Sequence, residues 1–142
     1  MEKKLGKVRI DETQKNFPLS SHGVTTKKFI KSKPNLFTSG IQFPMMILKE
    51  SSLMNNISVM AEYCRSVGAE LAPHVKTTMS PQIAQMQVDA GAWALTIANF
   101  WQAEIFRNFG FKKLIIANEV LEKSAITEIA KLNAKNKAEI IF

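Results

Sequence analysis

From Glu70 onward the sequence repeats one unit: a short apolar run, a helix-start signal, an amphipathic stretch and a stop. "ELAPHV" is the first run, followed by Ser80-Pro81, an N-cap with proline at the first helical position, then "QIAQMQVDA" and Gly91. "WALTIA" follows, with Asn99 placed to cap "FWQAEIFRNF" and Gly110 to end it. "KLIIAN" leads into the helical stretch "SAITEIAKLNAKN", and "AEIIF" closes the series. The strands begin near residues 70, 93, 113 and 137. Short apolar runs separated by amphipathic helices predict parallel βα units with both sheet faces covered.

Two architectures accept four consecutive βα-spaced strands. One is an open doubly wound sheet; the other is half of a (β/α)8 barrel. No G-x-G-x-x-G and no G-x-x-x-x-G-K-[ST] follows any strand, so a nucleotide-binding open sheet has no support. A full barrel takes about 250 residues, and this chain has 142.

The stretch before the repeat reads differently. Pro44 opens "PMMIL", expected as a short strand. Ser51 or Ser52 is placed to cap a helix carrying Leu53, Ile57, Met60, Cys64 and Val67, one apolar stripe that Gly68 ends. Residues 1–40 show breakers and no period, and are expected as an irregular arm; residues 41–142 are expected as a partial barrel domain. Net charge is +7, and residues 1–33 hold +6 of it. That arm reads as solvated and partly mobile. Its lysines are scattered and no nucleic-acid motif accompanies them, so no nucleic-acid partner is expected, although a basic-tailed binding module is one alternative.

Other classes fall away on composition. Apolar residues make up 46% and charged residues 22%, which is globular and not disordered. No apolar stretch approaches the roughly 20 residues of a membrane span. The N-terminus has basic residues but no apolar core of a secretory signal, and Cys64 stands alone, so a cytoplasmic location is expected.

Active sites of α/β folds gather where strands end. Lys76 ends the first strand of the repeat, in "APHVKTTMSP". Position alone leaves two readings: a lysine reaching solvent, or a neutral amine acting as nucleophile toward an aldehyde. His74 is two residues earlier, on the same face of an extended strand, either bonded to backbone or beside the lysine. Thr77 and Thr78 either contact a cofactor or cap the next helix. Asn118 and Glu119 end the third repeat strand at the same rim, with Glu119 placed either to pair with Lys76 or to stand behind the residues that touch the cofactor. Trp93 and Trp101 read as core, and Tyr63 lies in a helix away from the rim. His22, His74 and Cys64 have no metal-ligand spacing, so no metal site is expected.

"LAPHVKTTMSPQIAQMQVDAGAW" resembles the lysine motif of fold-type III pyridoxal phosphate enzymes. The resemblance is to the D-threonine aldolase and D-serine dehydratase-like group, especially its amino acid deaminase branch. The motif P-H-x-K-T puts the cofactor lysine on Lys76. The likeness runs through "FPMMILKESSLMNNISVMAEYCRSVGAELAPH" and "ANFWQAEIFRNFGFKKLIIANEV", roughly residues 42 to 130.

The resemblance implies an alanine racemase-like barrel, of which this chain would be the truncated first half. It implies pyridoxal 5'-phosphate held as a Schiff base on Lys76, with His74 and Thr77 lining the cofactor. It implies a small amino acid substrate, of D configuration, and dehydration, retro-aldol cleavage or racemisation as the reaction. Zinc would enter only through a C-terminal domain that these residues do not include. No membrane partner is expected. The complete protein would be a homo-oligomer, or the chain would need a complementary C-terminal half. The alternative is an inactive gene fragment.

Overall fold

Three of the four expected strands pair in chain order, all parallel. The computed structural model describes residues 5–142. The strands are β1 (Leu95–Ile97), β2 (Lys113–Ile116) and β3 (Glu139–Ile141), in sheet order β1-β2-β3. Leu95 pairs with Leu114, and Leu114 with Ile140. On the other edge of β1, His74 forms a single parallel bridge to Thr96. Four segments thus lie side by side in sequence order with no reversal. A doubly wound sheet reverses its order at a switch point; a barrel does not. Right-handed crossovers in one direction put their helices on one face. The arrangement is α/β with the strand order of a partial barrel.

The chain divides into two compact units, Met1–Lys49 and Glu50–Phe142. In the first unit, Arg9 and Thr25 form an antiparallel bridge around Ile10, which is fully buried. Helix α1 (Thr26–Lys31) starts where the Thr25 side chain accepts the Lys28 N–H. The Phe17 and Phe29 rings meet edge to face at 5.1 Å. The arm therefore contains a small core of its own. The strand expected at "PMMIL" does not form. Asn16 donates its side-chain amide to the carbonyls of Gln42 (2.7 Å) and Pro44 (2.8 Å), and Met46 is 94% exposed. Apolar sequence without a neighbouring strand to supply a ladder stays extended and unpaired.

In the second unit the helices are α2 (Glu50–Ser66), α3 (Pro81–Asp89), α4 (Phe100–Asn108) and α5 (Lys123–Ala134). The start signals work as their chemistry demands: the Ser80 hydroxyl accepts from the Ile83 N–H and Asn99 from the Gln102 N–H. Helix α2 begins at Glu50, ahead of both candidate serines. Gly68, Gly91 and Gly110 follow their helices with φ of +68°, +104° and +100°, the left-handed turn that glycine makes without a Cβ clash.

Paired residues of a parallel sheet share a face. Leu95, Ile97, Leu114, Ile116 and Ile140 are buried, and the helices bring Ala103, Phe106, Ile129 and Leu132 to the core. The other face carries His74, Thr96, Ile115 and Ile141 by register. There His74 is exposed and Ile141 is 42% exposed. One face is covered, where the sequence pattern predicted two. Trp101 also departs from expectation. It is 64% exposed, because α4 turns Ala103 and Phe106 inward and leaves position 101 about 200° away from Ala103. Among the described residues, no helix is long and apolar enough to cross a membrane.

Candidate active site

The segment from Glu70 to Val75 was expected as a full strand, yet it bridges β1 only at His74. Two local features limit it. A continued parallel ladder would need the residue-73 N–H to reach the Ala94 carbonyl, and Pro73 has no N–H. The ladder is therefore reduced to the Thr96 N–H on the Pro73 carbonyl (2.8 Å) and the Val75 N–H on the Thr96 carbonyl (2.9 Å). The Thr96 hydroxyl adds a bond to the Ala72 carbonyl at 2.8 Å. Thr96 is only 4% exposed, so this hydroxyl is satisfied inside the sheet.

The second limit lies at the carboxyl end. The Val75 carbonyl turns away from β1 and accepts the Met79 N–H at 2.9 Å. The Ala98 N–H, which a ladder would have given to Val75, goes to the Gln102 side-chain oxygen at 2.9 Å. The Gln102 side-chain nitrogen reaches the Lys76 carbonyl at 3.4 Å. Lys76 thus stands in the turn that leaves the sheet, half-buried, beside the N-terminus of α4. Because the chain turns at Lys76, strand alternation does not extend from His74 to it.

The other sequence candidates spread out around this turn. Thr77 is exposed and caps nothing; Ser80 holds the cap of α3. Thr78 directs its hydroxyl to the Val75 carbonyl at 3.5 Å. Asn118 and Glu119 follow β2 and are exposed. Among the described residues the ion pairs are Lys113–Glu139 and Lys131–Glu128, and neither joins Glu119 to Lys76. Lys112, Lys113 and Lys137 enter strands at the opposite end of the sheet. Tyr63 lies exposed on α2. Among the described residues no group of three or more His, Cys, Asp or Glu gathers as a metal site. A groove of about 570 Å³ runs between α2 and residues 69–74, lined by Ile57, Met60, Cys64, Leu71 and His74; it is mostly apolar and Lys76 is not in its wall.

Thr96 and Gln102 escaped the sequence reading. Thr96 looked like one β-branched residue among others in "WALTIA". Gln102 did leave a signal: Asn99-x-x-Gln102 has capping-box spacing, in which the residue at the third helical position reaches back for an orphan N–H. Here it reaches Ala98, one residue further back than the motif requires.

The comparisons with known proteins agree with this architecture. No family model matches the chain. The solved D-threonine aldolase from Filomicrobium marinum superposes with a TM-score of 0.66 at 26% identity, over 72% of this chain and 27% of that one. The chain resembles the fold-type III group of pyridoxal phosphate enzymes. Within this D-threonine aldolase-like group, 3-hydroxy-D-aspartate aldolase from Paracoccus denitrificans (strain Pd 1222) is 30% identical over 104 residues, 72% of this chain and 27% of that protein. D-threo-3-hydroxyaspartate dehydratase from Delftia sp. HT23 matches with a TM-score of 0.59 at 25% identity, over 67% of this chain and 25% of that one. These relatives are lyases. The chain spans about a quarter of the length of the relatives it matches.

Proposed function

We propose that the chain supplies the lysine-bearing part of a pyridoxal phosphate-dependent lyase acting on a 3-hydroxy D-amino acid. The observation that carries the reading is Lys76 itself. It is a half-buried residue in the turn just past Val75, whose N–H makes the last ladder bond to β1, inside the P-H-x-K-T motif of a group whose named members act on D-threonine and 3-hydroxyaspartate.

The donor set suits the cofactor's aldehyde end. Lys76 offers the amine that would hold it, and exposed His74 and Thr77 on either side offer an imidazole and a hydroxyl for its polar edge. When bound, pyridoxal phosphate acts as an electron sink that weakens bonds at the substrate Cα. The chain's own part is narrower. Lys76 would hold the group, the turn through Thr78 would keep that amine at the rim, and the Lys76 amine would be placed to carry a proton to or from the substrate. Dehydration, aldol cleavage and racemisation share these roles. The bond broken would be set by groups facing Lys76 from outside this chain.

The partly open face, where His74 and Ile141 are exposed, favours a second reading, in which the chain turns over nothing until further strands cover that face. They would come from a continuation of the polypeptide or from a complementary chain.

The test is reductive labelling. Pyridoxal phosphate and borohydride, followed by peptide mapping, should mark Lys76 above all other lysines. The mark should be stronger after the remaining part of a relative's barrel is supplied in the same chain or in trans. Lys76→Ala should remove mark and turnover. Lys76→Arg should fail equally, because guanidinium stays protonated and forms no imine. Labelling of the completed protein at another lysine would end the assignment.

A further inference from the structure

We infer that Gln102 is a positioning residue for Lys76, its side-chain amide wedged between two diverging strands to set where the lysine leaves the sheet. The inference rests on the proposed role of Lys76. It arises from the exchange of partners at the carboxyl end of the first bridge. Parallel pairing past His74–Thr96 would join the Ala98 N–H to the Val75 carbonyl. Neither group makes that bond. The Gln102 oxygen takes the Ala98 N–H at 2.9 Å, and its nitrogen approaches the Lys76 carbonyl at 3.4 Å. The Val75 carbonyl, freed from the ladder, closes the turn on Met79 at 2.9 Å.

A side-chain amide fits this place because it carries an acceptor and a donor on one planar group. It replaces one ladder bond with two longer-reaching ones, so the Ala98 N–H and the Lys76 carbonyl each keep a partner where the strands separate. Gln102 is itself held at the start of α4, where its N–H is capped by Asn99 at 3.0 Å. The position of α4 is thereby transmitted to the Lys76 backbone. Both side-chain bonds of Gln102 go to backbone groups, so its assigned role is positioning and not catalytic.

Three readouts on the 142-residue chain test this: amide exchange at Ala98, the carbonyl-carbon NMR shift of Lys76, and the share of borohydride-fixed pyridoxal phosphate found on Lys76. Gln102→Ala should speed Ala98 exchange about fivefold or more, the loss of one net hydrogen bond. It should also move the Lys76 carbonyl shift and lower the Lys76 share severalfold, with Leu114 and Ile116 exchange unchanged. Gln102→Glu keeps the acceptor and loses the donor. Ala98 protection should survive in it, while the Lys76 shift and labelling change as in the alanine variant. An unmoved Lys76 carbonyl shift in both variants would overturn the inference. So would exchange that rises equally at Leu114 and Ile116, which would mark Gln102 as general packing. If the wild-type chain labels Lys76 no more than its other lysines, the cofactor reading fails, and the exchange and carbonyl shift still decide the role of Gln102.

Discussion

The Thr96 hydroxyl donates a 2.8 Å hydrogen bond to the Ala72 carbonyl, inside a sheet whose first segment is also held by two ladder bonds to Thr96 and by the Trp93 N–H on the Leu71 carbonyl at 2.8 Å. A side chain thus supplies what a proline withholds. Pro73 denies the ladder its donor, and Thr96 fastens the residue before it. The lysine-bearing segment is consequently anchored by one residue of β1 through its N–H, its carbonyl and its hydroxyl.

Thr96→Val should destabilise the chain by about 1 kcal/mol, because the shape is kept while a part-buried carbonyl loses its partner. Thr96→Ser should recover most of that loss. Urea denaturation measures both. A valine variant as stable as wild type would mean that water replaces the hydroxyl.

Pro73→Ala restores an N–H opposite the Ala94 carbonyl. The new amide should exchange slowly, as a ladder member does, and the bridge should lengthen toward Ala72. Hydrogen exchange at residue 73 as fast as in an exposed turn would show that proline was not what limits the strand.

At the opposite end of the sheet, the Lys113 ammonium sits 4.1 Å from the Trp93 ring centroid and 3.5 Å from a Glu139 carboxylate oxygen. The Lys113 side chain is 35% exposed and that of Glu139 56%, so solvent screens the pair. Glu139→Gln should cost less than about 1 kcal/mol, and added salt should erase the difference. Lys113→Met, which keeps an apolar body over the ring and loses the charge, should cost about 0.5–1 kcal/mol more. Urea midpoints at low and high salt separate the two terms. A salt-independent loss in Glu139→Gln would contradict the screened pair.

In the first unit, the Asp11 carboxylate accepts from the Thr13 hydroxyl at 2.6 Å and from the Thr13 N–H at 2.9 Å. These bonds, the hydroxyl foremost, hold its pKa below the ordinary aspartate value. A depressed carboxylate stabilises the fold above its unfolded pKa, about 3.9, and that contribution is lost as pH falls through the lower folded value. Thr13→Val should raise the Asp11 pKa toward its ordinary value in an NMR titration. An unchanged titration would assign the effect to the backbone bond.

The βα order, the caps at Ser80 and Asn99 and the glycine stops were all legible in the residues. Each depends on neighbours within a few positions, where apolar period, cap chemistry and left-handed turns act. The pairing was not local. Whether "ELAPHV" makes a strand depends on which β1 groups face it, and Pro73 and Gln102 together reduce it to one bridge. "PMMIL" has strand composition and no strand beside it. The predicted burial of both sheet faces likewise assumed a cover that these residues do not supply, so His74 and Ile141 stay open to solvent. Composition and period describe what a segment is able to do. Hydrogen-bond donors and acceptors from elsewhere in the chain decide whether it does so, and here those partners meet only once Thr96 and Gln102 are brought against residues 72–76.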